Sequence, residues 1–403
     1  MTKLSARQDV TLEYRGIRSD PPVVACAMTE ALPAGTKLGN YELIRLLAQG
    51  GMADIYLARQ IGLDRQVAVK VLNTKRAEDP DSRTLFMDEA RLVGMLSHEN
   101  LASVYEVAVE AGIHYLAMEY VDGADLRELL ARAQVMGMAI PYGTALTIVA
   151  HTAAGLDYAH RKDVDGRPLR LVHRDVSLSN IMITMEGAVK LIDFGIAIST
   201  ASQHHTNPGI VRGKASYMAP EQAIGDPCDA RTDVFALGVV LYELCTGMRC
   251  FPGNSDFERM LAVVRGEFVP PSVHVPEIPA ALEQVICTAL SLDPAYRFET
   301  AGDMIEALEA VAALEGWRID KRATARLMFE VYPPDDRWED DTELVAPPTD
   351  ELEHCIAVPN QETVIITKRR LARGTESDAP EPSDWEDEAR TRGRRAIPRW
   401  AAA

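Results

Sequence analysis

The chain has 403 residues, 47% of them hydrophobic, and a formal net charge of −18. That length allows two to three units of about 150 residues, and the apolar content excludes a wholly disordered chain. The acidic balance argues against a protein that coats nucleic-acid phosphates, and no segment offers the roughly 20 consecutive apolar residues of a membrane span.

Residues 1–40 show no sustained period and contain Pro21, Pro22 and Pro33, so they read as a flexible extension. The start lacks the apolar block of a secretory signal, and Met28 is a second candidate start. Cys26, Cys228, Cys245, Cys250, Cys287 and Cys355 include no C-x-x-C pair, which fits reduced thiols in a soluble, cytoplasmic protein.

From residue 41 to about 120, YELIRLLA, ADIYLAR, QVAVKVL, ASVYEVAVE and IHYLAMEY read as short strands. A helix over Asp81–Leu96 interrupts them, with Leu85, Leu92, Val93 and Leu96 as its apolar stripe. Helices are then predicted over Leu126–Ala133, Thr144–His160, Thr232–Thr246, Phe257–Arg265, Ala280–Leu290 and Ala301–Leu314. A small strand-rich lobe before a larger helical one is an α+β pattern with a ligand cleft between the two. Residues 315–403 alternate acidic and basic clusters and read as a largely disordered charged tail, with one short strand at ETVIITK.

Four groups of residues point to chemistry. Ala48-Gln49-Gly50-Gly51-Met52-Ala53 joins two strands; adjacent glycines let a backbone approach phosphate oxygens, though a plain hairpin turn fits as well. Lys70 shares a strand face with Ala68 and Leu72, so its ammonium needs solvent or an anion. Glu89 falls on the helix stripe, where a carboxylate is costly unless paired; Lys70 is the candidate partner, and escape to the helix edge is the alternative. His173-Arg174-Asp175 with Asn180, followed thirteen residues later by Asp193-Phe194-Gly195, brings oxygen donors to strand ends. Asp193 and Asn180 suit Mg²⁺, a hard cation, and Asp175 suits acceptance of a hydroxyl proton.

In this order the motifs resemble those of the eukaryotic-like (Hanks-type) bacterial serine/threonine protein kinases over residues 41–314. The resemblance implies a bilobal kinase fold, with a small lobe over 41–118, a hinge at 119–121 and a large lobe over 122–314. It implies ATP as phosphoryl donor, Mg²⁺ (or Mn²⁺) as metal, and protein substrates. By this resemblance Ala48, Gly50, Gly51 and Ala53 cover the phosphates, and Lys70, positioned by Glu89, holds them. Asn180 and Asp193 ligate the metal, and Asp175 is the base. Ile55, Ala68 and Met182 sandwich the adenine, Met118 is the gatekeeper, Glu119 and Val121 form the hinge, and Asp125 meets the ribose. Phe194 is expected to pack beneath the Glu89 helix. Asp233 and Gly238 match the family's buried long helix, and Arg297 matches the partner of Glu221 in Ala219-Pro220-Glu221.

Two departures stand out. The usual lysine two residues after the base is Ser177, and the usual threonine three before Tyr217 is Lys214. Either Lys214 returns the missing positive charge from the opposite side, or it faces solvent. Arg174 before the base suggests regulation by a phosphate on the loop, with Thr206 first among Ser199, Thr200, Ser202, Thr206 and Ser216. An active kinase is the leading reading. A pseudokinase acting as an ATP-binding scaffold is the alternative, and tyrosine transfer is a third. The tail is a candidate site for a regulatory partner.

Overall fold

The structure, a computed structural model, describes residues 31–194 and 215–333. Six strands form one antiparallel sheet in the order β1-β2-β3-β4-β6-β5: β1 Lys37–Leu38, β2 Tyr41–Gln49, β3 Ala53–Gln60, β4 Arg65–Leu72, β5 Val104–Glu110 and β6 Ile113–Glu119. Alternation buries Tyr41 and Leu43 of β2, and Val67, Val69 and Val71 of β4, on one face of this sheet. The other face packs Ala53, Ala68, Leu72, Leu116 and Met118 against helix α2. A single-turn helix α1, Thr74–Ala77, precedes α2, Pro80–Val93.

Three readings are corrected here. Order begins before residue 41: β1 pairs with β2, Leu38 is buried, and the Leu32 amide donates to the Tyr56 hydroxyl. The α2 helix starts at Pro80, capped by the Asp79 carboxylate, and ends at Val93. Its buried stripe is Ser82, Phe86 and Ala90; Leu85, Leu92 and Val93 are half-buried, and Leu96 is buried beyond the helix end. The large lobe also continues past residue 314, as described below.

The large lobe opens with β7, Gly123–Asp125, then α3, Leu126–Val135, and α4, Tyr142–His160. A short hairpin, β8 Asp163–Val164 with β9 Arg167–Pro168, leads to the His173–Asp175 segment. Strands β10, Ile181–Thr184, and β11, Val189–Leu191, join β7 in a small sheet ordered β11-β10-β7. The rest is helical: α5 Pro220–Ile224, α6 Ala230–Thr246, α7 Asp256–Arg265, α8 Pro271–His274, α9 Ala280–Ala289, α10 Ala301–Glu315 and α11 Lys321–Val331. Helices α4 and α6 are apolar nearly all round and form the lobe's centre. Gly238 lets α6 approach α9 closely, since a Cβ there would lie 2.8 Å from that of Ala289.

Helix α11 replaces the start of the expected charged tail. Thr324, Leu327, Met328 and Val331 are all buried, an i, i+3, i+4, i+7 stripe that lies between basic and acidic residues. The Thr324 hydroxyl donates to the Gly187 carbonyl at 2.5 Å, and the Arg132 guanidinium lies over the Tyr332 ring. The tail strand at ETVIITK, the basic clusters of the tail and the second start at Met28 lie outside the described residues.

Candidate active site

The nucleotide wall of the small lobe starts at the β2–β3 turn. Gly50 donates its amide to the Ala53 carbonyl, and a Cβ on Gly50 would sit 2.7 Å from that same oxygen, so the tight turn requires glycine there. Asn73, just after β4, anchors the turn by donating its side-chain amide to the Gly50 carbonyl at 2.7 Å and its backbone amide to Met52. Ala48, Gly50 and Gly51 are exposed, which fits the phosphate cover expected of them. Below them Ala53, Ala68 and Met118 are buried, and Ile55 packs against their cluster. Lys70 lies opposite Ile55 on β3 and Leu116 on β6, so it projects from the centre of the sheet.

Lys70 meets Asp193 from the other lobe at 3.0 Å. Burial works to discharge the ammonium, but Asp193, Glu89 and Asp175 together outweigh it and raise the Lys70 pKa above its ordinary value. Lys70 therefore stays charged at neutral pH, under the charges of Asp193, Glu89 and Asp175. Asp193 itself adopts a left-handed backbone with φ of 53°, an uncommon conformation for a non-glycine residue and one concentrated at functional sites. Phe194 is buried and tilted against the His173 ring, with centroids 4.5 Å apart. Leu92 and Val93 of α2 pack on the cluster that contains Phe194.

The catalytic loop is fixed from beneath. The Asp233 carboxylate, fully buried at the start of α6, accepts the backbone amides of His173 and Arg174, each at 2.8 Å, and pairs with His160 Nε2 at 2.7 Å. Burial pushes its pKa up, but the His160 bond and the neighbouring donors more than offset this and hold it below the usual carboxylate range. Arg174 can thus hold its left-handed φ of 64°. Above it, Asn180 Nδ2 donates to the Asp175 carbonyl at 2.7 Å and to Asp175 Oδ2 at 2.8 Å. The Ile192 amide donates to the Asn180 carbonyl at 2.9 Å, which ties Asn180 to the strand end that leads into Asp193. Both side chains carry hard oxygen donors of the kind Mg²⁺ prefers.

The remaining expected positions follow. Met182 lies opposite Asp125 on β7 and Lys190 on β11. Val121 is buried at the hinge. Asp125 caps α3 by accepting the Glu128 amide, and burial raises its pKa. Arg297 pairs with Glu221 through two bonds of 2.8 Å, with the arginine side chain fully buried. Gln222 of α5 donates to the Arg174 carbonyl and ties this segment to the catalytic loop. Ser177 is fully buried, and its hydroxyl has no hydrogen-bond partner among the described residues. Gly195, Lys214 and the phosphosite candidates Ser199, Thr200, Ser202 and Thr206 lie outside the described residues; Ser216 is described and fully buried.

Sequence reasoning missed His160, Asn73 and the partners of Glu119. The Glu119 carboxylate accepts the Ser103 amide at 3.1 Å and pairs with Lys190 at 2.9 Å. Only His160 carried a signal, a histidine in the last turn of a mostly apolar helix.

A bilobal fold with a lysine–aspartate bridge across the cleft and an Asp–Asn pair beside it defines a phosphoryl-transfer fold. The profile of the protein kinase domain matches residues 41–308, and the chain belongs to that family. It is 39% identical over 295 residues to the tyrosine-protein kinase MasK of Myxococcus xanthus, covering 72% of this chain and 46% of MasK. It is 41% identical over 270 residues to the serine/threonine-protein kinase PknB of Mycobacterium leprae, covering 66% and 42%. With the serine/threonine-protein kinase PrkC of Bacillus subtilis the identity is 36% over 266 residues, covering 66% and 39%. The chain thus spans less than half the length of these relatives. Among solved structures it is similar to the kinase domain of Mycobacterium tuberculosis PknI: TM-score 0.53, 29% identity, covering 70% of this chain and 99% of that one.

Proposed function

We propose that the chain transfers the γ-phosphoryl group of ATP to serine and threonine hydroxyls of proteins in the cytoplasm, its own loop after Asp193 among them. The observation that carries this reading is the convergence of Lys70, Asp193 and the Asp175–Asn180 pair from three separate segments. Lys70 holds the α- and β-phosphates through its charge. Gly50 and Gly51 cover them, and the adenine lies between Ala68 and Ile55 above and Met182 below, against Met118, with backbone groups of Glu119 and Val121 at its edge and Asp125 at the ribose. Asn180 and Asp193 would hold Mg²⁺, which supplies charge neutralisation between the phosphates. Asp175, held by Asn180, orients the acceptor hydroxyl and takes its proton as the new P–O bond forms and ADP leaves.

Ser177 offers no cation, and its burial keeps its hydroxyl from a phosphate. Lys214 then stands in for the missing lysine. A positioned charge of this kind contributes on the order of 3 kcal/mol at the transferring group, so Lys214→Ala is expected to lower kcat about a hundredfold; unchanged kcat would place Lys214 in solvent.

The absent lysine and the name of the MasK relative favour one competing reading, tyrosine transfer. The pseudokinase reading has only Ser177 and Lys214 on its side, against retention of Lys70, Glu89, Asp175, Asn180 and Asp193. The test is labelled phosphate from Mg-ATP, followed on the chain and on a basic serine/threonine peptide, with phosphoamino-acid analysis. Label on serine or threonine is the expected result. Label confined to tyrosine overturns the acceptor assignment, and no label overturns the enzyme.

A further inference from the structure

We propose that Glu119 and Lys190 are a positioning pair that holds the nucleotide hinge and the metal-binding strand in one register, an inference that rests on the phosphotransfer reading. Glu119 ends β6, and its backbone is paired both ways: its residue faces Val67 across β4, and its amide donates to the Ser103 carbonyl at 2.8 Å. Its carboxylate turns back to the lobe junction. Oε1 lies 2.9 Å from Lys190 Nζ and Oε2 lies 3.0 Å from it, while Oε2 also accepts the Ser103 amide at 3.1 Å.

Lys190 is the middle residue of β11. Across the small sheet it faces Met182, the adenine floor, and three residues on comes Asp193. The same strand is clasped along its backbone by the segment that joins α2 to β5. Asn100 Nδ2 donates to the Val189 carbonyl, the Leu191 amide donates to the Asn100 carbonyl, and the Ala102 amide donates to the Leu191 carbonyl. The backbone clasp fixes β11 to that connecting segment. The Glu119–Lys190 pair is the side-chain bond that fixes β11 to the hinge itself.

An exposed pair would add little, because water and salt screen it. Here the two side chains are only 15% and 23% exposed, and the carboxylate has a second donor in the Ser103 amide. The pair also coexists with the assembled Lys70–Asp193 bridge, so it belongs to the productive arrangement rather than to one that must be undone. A displacement of about 1 Å at a reacting centre can cost a hundredfold in rate, and adenine and metal are held by the two elements this pair connects.

The test compares wild type, Lys190→Met, Lys190→Arg, Glu119→Gln and the Glu119→Gln/Lys190→Met double variant in the full chain. Mg-ADP affinity reads the pair, and phosphate transfer by the wild type reads the enzyme assignment, so the two fail separately. The expected result is an affinity about tenfold weaker in Lys190→Met and Glu119→Gln, recovery in Lys190→Arg, and a double variant no weaker than either single one, the signature of coupled residues. Affinity equal to or tighter than wild type in Lys190→Met, or additive losses in the double variant, overturns the proposal. Melting curves accompany each titration, and a loss of affinity that Lys190→Arg fails to recover counts against it.

Discussion

The two walls of the nucleotide cleft are built by opposite means. The catalytic-loop wall is held by a buried carboxylate: Asp233 carries two backbone amides and His160, and Arg297 with Glu221 locks the segment beside it. The glycine-turn wall is held by backbone fit and one amide side chain, that of Asn73, and its tip is exposed. One wall fixes the residues proposed to take the proton and hold the metal; the other is the one proposed to admit and release a nucleotide. Rigidity is placed where charge moves, and compliance where the ligand passes.

The largest break in this contrast is expected from Asp233→Ala. It leaves His160 and two buried amides without their acceptor, a loss of about 3–5 kcal/mol for a buried pair broken on one side. Thermal melting should show it, and transfer should fall with it. Acid should reproduce it in the wild type. Asp233 and Glu221 both have folded pKa values below their ordinary ones. Their contribution is therefore complete above the unfolded carboxylate values of about 4 and is lost as pH falls through the depressed folded values. A melting series against pH should lose stability on that side, and Asp233→Ala should flatten it.

A smaller and different effect is expected at the glycine turn. Gly50→Ala must move the Ala53 carbonyl, which lies 2.7 Å from the new Cβ. We expect the KM for ATP to rise several-fold with the melting temperature nearly unchanged. A melting loss as large as that of Asp233→Ala would erase the distinction between the walls. The smallest effect belongs to Asp54, beside the turn. Burial raises its pKa despite the Gly50 amide, and Oδ1 has no partner among the described residues. Its ionised form is the disfavoured one, so its contribution declines as pH rises through the folded value. Asp54→Asn should give a slight rise in melting temperature at neutral pH, and a fall would contradict that reading.

The same contrast explains what the sequence made legible. Motif residues that serve the phosphates and the proton carry charge or glycine at fixed spacing, so Lys70, Asp175, Asn180, Asp193 and Gly50 stood out before any coordinates. Asp233 and Arg297 were legible only through the resemblance. Helix α11 was hidden because its four buried positions lie among charged residues that dominate the local composition. The β8–β9 hairpin is only two residues per strand, too short for alternation to show. Glu119 was expected for its backbone, and nothing in a linear chain announces that its carboxylate reaches a lysine some seventy residues away. Long-range polar pairs of this sort are set by packing, not by local pattern.

The account stands on one arrangement: Lys70, Asn180 and Asp193 bind a metal-bound triphosphate while Asp175 takes the proton. Paired titration and mass analysis of wild type and Asp175→Asn separates these tasks. The account predicts that both proteins bind Mg-ADP with similar affinity, that wild type incubated with Mg-ATP gains phosphoryl groups, and that Asp175→Asn gains them slower by a factor on the order of 10²–10⁴. Phosphate incorporation at the wild-type rate in Asp175→Asn would contradict it.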